Sequence, residues 1–348
     1  MASIKNQISH VLKTLQAFGE SKKSRKEEMG NKGFGNGTDR IHSVKTYQNI
    51  RGDAIRYGEW LKAEHGVKNI FKIGDKAILY TKQYIQHLKD RGLAIGTIAG
   101  VESSLLHLER GMNKFNREVR GQNTELKIIE GRTLSSSDKE IPQDRAFKSR
   151  EKAEEVISKM SKSTQSIGHL SLNLGLRLKE SLNIRVEHVL DRGDSMKILI
   201  PKGEGRGITK GGRFRVVTVP KHFENQLRGM IQGKGLKEKI AGNINRETAK
   251  KSIQRACIKA GEHLDKGSHR FRHTYARERL NEHLKSISRG HEILNRIIEN
   301  KELGFRMDKG IGTDDRGGYE QVKGAINEVH KDLGHGANRW ELVLTYMK

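Results

Sequence analysis

Four short runs in the second half of the chain carry residue types that can do chemistry on a phosphate. The first is Gly175-Leu176-Arg177-Leu178-Lys179-Glu180, and the third is His269-Arg270-Phe271-Arg272-His273-Thr274. Between them lies a glycine- and lysine-rich turn with Lys202 at one end and Lys210 toward the other. The fourth is Leu333-Gly334-His335, followed by Tyr346. A guanidinium is planar, offers forked donors that match phosphate oxygens, and stays charged at any working pH. Two of them on one phosphodiester would neutralise the charge that builds on phosphorus in a transition state. His269 stands three residues before Arg272, so on a helix both project from one face. A phenol, with a pKa of about 10, attacks poorly unless its surroundings favour the phenolate, which an arginine-rich pocket would do.

Taken singly, each residue reads blandly. An isolated arginine is a DNA-backbone contact or a salt bridge, Glu180 is a helix-surface carboxylate, and the chain has 15 histidines from which only position selects. His269, His273 and His335 could suggest zinc, but no acidic partner is patterned with them, so neither metal nor cofactor is expected.

These runs need a scaffold. Ile4, Ile8, Val11, Leu12, Leu15 and Phe18 fall at helical spacing, and the stretch from Gly19 to Arg40 is rich in Gly, Lys, Asn and Ser. Residues 1–42 therefore read as a basic N-terminal helix and a flexible arm. Three amphipathic helices follow. The first is opened by Ser43, carries Tyr47, Ile50, Ala54, Tyr57 and Leu61, and stops at Gly66; Asp75 opens the second, which ends at Gly92. The third carries Ile98, Val101, Leu105, Leu108, Met112 and Phe115. Residues 43–120 form a helical domain on this reading, and 121–145, where the period is lost and Pro142 appears, form a linker. In the domain 146–348, helical patterning gives way to two Ile- and Val-rich runs, Met196 to Pro201 and Phe214 to Pro220, joined as a long hairpin. The remainder is helical, with a glycine-rich interruption from Gly304 to Gly318. The expected fold class is mainly α with a small β-hairpin or sheet.

The 348 residues suffice for two domains with their own cores, although only 34% are apolar. Lys and Arg number 67 against 42 Asp and Glu, a formal charge of +25. Such a surplus attracts a polyanion over about a Debye length, roughly 8 Å at physiological salt. Nucleic acid is preferred to an anionic membrane, because no strongly apolar amphipathic stripe stands out. The single cysteine, Cys257, excludes an intramolecular disulfide and a cysteine-rich zinc site. Met1 to Lys5 are followed by no apolar run, and nothing approaches the ~20 apolar residues of a membrane span. A protein of a reducing cytoplasm is expected.

In order and in local sequence, the four runs resemble the active-site boxes of the tyrosine recombinases, the family of phage integrases and of the Xer and Cre recombinases. The resemblance spans about residues 150 to 348, and the helical domain before it is similar in size and position to the family's core-binding domain. It implies a core-binding domain joined to a tyrosine-recombinase catalytic domain. It also implies a site-specific enzyme that cuts and rejoins DNA through a 3′-phosphotyrosine, serving the integration or excision of a mobile element. Arg177 and Arg272 would grip the scissile phosphate, His269 and His335 would assist, and Glu180 would hold the arrangement from behind. Tyr346 would be the nucleophile; Tyr319 comes before His335, and Tyr275 lies inside the His-Arg box. A lysine of the hairpin turn would protonate the leaving 5′ oxygen, Lys210 by its run into Phe214 to Pro220, with Lys202 as the rival. Implied partners are double-stranded DNA at core sites, a homotetramer on synapsed DNA and DNA-bending accessory proteins, with no membrane. A type IB topoisomerase and a catalytically silent DNA-binding protein are the other readings.

Three departures from the family pattern bear on this. About sixty residues separate Arg272 from His335, so Leu284 to Val329 reads as an insertion. Trp340 lies between His335 and Tyr346, and some members use Trp in place of the second histidine. Only Met347 and Lys348 follow Tyr346. The expectation is that the inserted segment, with Ile287, Ile293, Leu294, Ile297 and Ile298, makes a subunit contact in trans in place of a C-terminal helix.

Overall fold

Serine side chains start several of the helices. The Ser3, Ser43 and Ser149 hydroxyls each accept the backbone N–H three residues on, satisfying a donor that the first turn leaves open. The computed structural model describes residues 2–30, 38–123, 125–131, 144–201, 214–262 and 267–347. It divides into two units, Met1–Glu140 and Ile141–Lys348.

The first unit contains α1 (Ile4–Lys13), the short α2 (Lys22–Glu28), α3 (Val44–His65), α4 (Ala77–Asp90) and α5 (Ile95–Val119). Helix α3 ends in a left-handed Gly66, as Ser43 and Gly66 predict. The α4 start lies at Ala77, because Asp75 is taken up in a preceding tight turn, Gly74–Lys76. One core joins Ile8, Val11 and Leu12 of α1 to Ile50, Tyr57 and Leu61 of α3, Leu88 of α4, and Ile98, Leu105 and Met112 of α5. Helix α1 lies close against α3 and α5: a Cβ at Gly58 would sit 2.7 Å from Ile8 Cδ1, and one at Gly111 2.9 Å from Val11 Cγ1. The N-terminal helix thus shares the core of the domain that follows it. The segment after it returns to that core, where Ile41 exchanges backbone hydrogen bonds with Leu15 and Ala17 (2.7 and 3.0 Å).

The second unit runs α6 (Arg150–Ser158), α7 (Lys162–Leu174), α8 (Leu178–Ser181), β1 (Val189–Asp191), β2 (Met196–Ile200), β3 (Arg215–Thr218), α9 (Lys221–Ile231) and α10 (Arg246–Lys259). It continues through α11 (His269–Leu284), α12 (Gly290–Glu302), α13 (Arg316–Asp332) and the single turn α14 (Val343–Tyr346). The strands form an antiparallel sheet in the order β1-β2-β3, with Val189 opposite Ile198 and Ile198 opposite Val217. Met196, Ile198, Ile200, Arg215 and Val217 face inward, following the two-residue period of a half-buried sheet. The expected hairpin is β2 and β3; its turn, with Lys202 and Lys210, lies outside the described residues.

Two cores fill this unit. One packs α6, α7, α9 and α10 on the sheet and includes Phe271. The other joins Tyr275, Leu280 and Leu284 of α11 to α12, α13 and α14. Helix α11 runs between them and buries residues on nearly every side of its first half, Arg270 to Ala276. Three of the five apolar residues expected to make a subunit contact in trans are taken up within the chain. Ile293, Leu294 and Ile297 are buried in the same chain against Tyr319, Val322, Ile326 and Val343, so they are already committed. Among the described residues, no helix is long and apolar enough to cross a membrane.

Candidate active site

Gly175 ends α7 in the left-handed region, φ 59°, and a Cβ there would lie 2.5 Å from the Tyr275 ring. A glycine is what both restrictions allow. The chain then turns so that Arg177 caps α8, its backbone N–H donating to Glu180 Oε2 (2.7 Å) and its guanidinium to Glu180 Oε1 (2.9 Å). From β3, Arg215 donates to both oxygens of the same carboxylate, at 2.9 and 2.7 Å. Glu180 has no exposure to solvent and Arg215 only 7%. Burial pushes the Glu180 carboxyl up, but the hydrogen bonds and charge of Arg215, then those of Arg177, outweigh it and hold the pKa at about 2. Glu180 is an anion clasped by two arginines.

Arg272 is fully buried in α11. It donates to the backbone carbonyls of Gly175 and Leu333 and to His335 Nε2 (3.1 Å). The α7 terminus, the α13 terminus and the loop after α13 are therefore gathered on one guanidinium. Of its five N–H donors, Nε–H is buried and has no partner among the described residues. A buried donor left unmade costs about 1–3 kcal/mol, which an arriving acceptor such as a phosphate oxygen would relieve. Burial, then the neighbouring Arg177 charge, lowers the Arg272 pKa to about 10, so it stays protonated at neutral pH.

His335 follows Gly334, the residue after α13 and its last carbonyl Leu333, and is held by its backbone N–H on the His330 carbonyl (2.9 Å). Burial, then the charges of Arg272 and Arg177, press its pKa to about 2. The ring is neutral, as an acceptor from Arg272 must be. His330 lies behind it, fully buried, with ring centroids 5.7 Å apart.

Tyr346 closes the cluster as the last residue of α14. Its ring stacks on His273 (centroids 4.3 Å, 16° between planes), meets His335 at 4.8 Å and 48°, and lies 5.9 Å from the Arg272 guanidinium carbon. Val343 and Met347, on either side of it in sequence, are sunk in the α11–α14 core with Ile293 and Ile297. Helices α12 and α13 thus seat the tyrosine turn within its own chain. Arg177 and Arg215 meet the Glu180 carboxylate and Arg272 feels the charge of all three, so three guanidinium groups stand against one carboxylate, an excess of two positive charges.

The structure therefore brings together Arg177, Glu180, Arg272, His335 and Tyr346. His269 is the exposed first residue of α11, one turn before His273, which feels its charge. Lys210 and Lys202 are not described. Trp340 packs against the α11–α14 core near Lys323, and Tyr275 and Tyr319 are buried in that core, the Tyr275 hydroxyl donating to Asp332 (3.0 Å). The sequence reading missed Arg215, His273 and His330. Arg215 could have been found, since the alternation that buries Val217 and Val219 also turns residue 215 inward, and a buried arginine requires an anion.

The fold is shared with known structures at low sequence identity. The XerH site-specific recombinase bound to its palindromic difH substrate, in a post-cleavage complex, is 15% identical with a TM-score of 0.57, over 98% of this chain and 90% of that one. The pre-cleavage complex of XerH with difH is 16% identical with the same TM-score, over 99% of this chain and 92% of that one. No protein-family model and no curated protein matches the sequence.

Proposed function

We propose that this chain is a tyrosine-type site-specific DNA recombinase, acting in the integration or excision of a mobile element. The observation that carries the reading is the Tyr346 ring held against Arg272, His335 and His273 beside the Arg177–Glu180–Arg215 clasp, all from one chain. A scissile phosphate enters with its oxygens toward Arg177 and Arg272, and Glu180 fixes Arg177 for that approach. Neutral His335 still carries one ring N–H and donates it to a phosphate oxygen. The Tyr346 oxygen attacks phosphorus and gives its proton to water, the bond to the 5′ oxygen breaks, and that oxygen leaves as a hydroxyl after accepting a proton from a lysine of the hairpin turn. Lys210 is the proposed donor, with Lys202 as the alternative, and His269 assists at the rim. The 3′-phosphotyrosine ester conserves the bond energy, so a 5′ hydroxyl of another strand reverses the step without ATP. The arginines supply the neutralisation that other phosphoryl-transfer enzymes take from a divalent ion.

The surplus of 25 positive charges suits a duplex as partner. Strand exchange between two sites calls for four protomers on synapsed DNA, with DNA-bending proteins as accessories. The test is to incubate the protein with duplexes spanning the ends of the element that encodes it and to sequence the products. Exchanged strands, and DNA linked to protein under denaturing conditions, are expected. Relaxation of supercoiled plasmid without exchange would reassign the protein to topoisomerase chemistry, and the absence of any strand breakage would refute an enzymatic role.

A further inference from the structure

His273 has no part in the chemistry above, yet it makes the closest ring contact with Tyr346. It is buried in α11, one residue past Arg272, with its ring beside the backbone of Thr345, the residue before the tyrosine. Helix α14 is a single turn of four residues. A helix that short has no stability of its own, so the direction of Tyr346 must come from what it touches. Val343 and Met347 anchor the turn from below, while His273 and His335 address the ring itself.

The parallel stack decides what His273 can do. The lone pair and N–H of an imidazole lie in the ring plane, whereas here the ring presents its face to the phenol. It cannot take the phenolic proton from that position. Nor is it a cation drawing out a phenolate, since burial, then the charges of His269, Arg145 and Arg272, keep it neutral at pH 7. An aromatic plane laid against the phenol, beside the backbone of the turn that carries it, leaves one role.

We infer that His273 is a positioning residue, which fixes the plane of the Tyr346 ring and ties down the turn that carries it, so that the phenol oxygen meets the phosphate held by Arg177 and Arg272. The inference rests on Tyr346 being the nucleophile of the proposed reaction.

Two readouts test it on the full-length protein. The first is 19F NMR of protein containing 3-fluorotyrosine, with the Tyr346 resonance assigned by its loss in Tyr346→Phe. That resonance should move toward the free-amino-acid position in His273→Ala and stay near its wild-type position in His273→Phe. The second is single-turnover formation of the covalent complex on a nicked duplex. His273→Ala should bind DNA as wild type does but form the complex about 10- to 100-fold more slowly, the scale on which small misplacements act. His273→Phe, which keeps the plane and has no titratable nitrogen, should recover most of that rate. An unmoved fluorine resonance in a folded His273→Ala protein overturns the inference. So does a His273→Phe variant as slow as His273→Ala. Should wild-type protein form no covalent complex while the resonance moves as expected, the contact stands and the assignment of Tyr346 as nucleophile falls.

Discussion

Replacing Glu180 by glutamine perturbs the charge at the centre of the site and leaves its shape. The carboxylate is fully buried, accepts two hydrogen bonds from Arg215, and accepts the backbone N–H and guanidinium of Arg177. Its pKa stands at about 2 against an ordinary 4.5. That difference, at 1.36 kcal/mol per unit, is about 3 kcal/mol of stability. The contribution is complete above the ordinary value and is lost as pH falls from about 4.5 toward 2. Glu180→Gln removes it and leaves Arg215 buried without a counter-charge, so the loss at pH 7 is expected at about 3–5 kcal/mol. For a unit of this size that lowers the melting temperature by roughly 6–20 °C. Thermal and urea denaturation of both proteins at neutral pH and down to about pH 3 is the assay. The gap should narrow on acidification, by about 2 kcal/mol at pH 3, because only the wild type has a carboxylate to protonate. A gap that ignores pH, or a variant as stable as wild type at pH 7, would refute the clasp.

His330 is fully buried, and burial, ahead of opposing Glu341 and the charge of Arg339, lowers its pKa to about 4 from 6.5. The unfolded chain therefore gains its proton first as pH falls below 6.5, and native stability drops. His330→Leu should lose about 2 kcal/mol less than wild type between pH 7 and 5, measured by urea unfolding; equal losses would contradict the assignment. Ile297→Ala should cost about 2–5 kcal/mol by cavity formation in the core that seats α14. It should also slow cleavage by a protomer bound to a single half-site, whereas a defect confined to synapsis would restore the contact in trans. For the leaving group, Lys210→Ala should be rescued by a bridging 5′ sulfur, which needs no proton, and Lys202→Ala should be active without it. The reverse pattern transfers the role to Lys202.

Local rules made the first unit legible. Ser43, Gly66 and an apolar residue at each turn of α3 and α5 define start, stop and inner face, and the structure follows them. The hairpin was legible from Ile and Val content, but β1 was not, since its three residues hold together only by pairing with β2, from Val189 opposite Ile198 to Asp191 opposite Met196. Within the site, Glu180 stands one turn after Arg177, whereas the partner that Arg215 supplies to it comes from a strand 35 residues on and shows only once the inward register of β3 is known. The pattern of α12 declared an apolar face without saying what would cover it. The cover proved to be α13 and the tyrosine turn of the same chain. His273 was invisible for the same reason, because helix phase places it beside Arg272 but nothing local reports that α14 folds back onto it.

The central claim is that Tyr346 forms the covalent bond to DNA, and locating that bond tests it most directly. Wild-type protein is trapped on a nicked duplex that prevents rejoining, digested with protease and nuclease, and the modified peptide is identified by mass spectrometry. The account predicts a nucleotide 3′-phosphate on Tyr346, and a Tyr346→Phe protein that binds the duplex with unchanged affinity but yields no adduct. An adduct on Tyr275, Tyr319 or any residue other than Tyr346, or an adduct from the Phe variant, would contradict it.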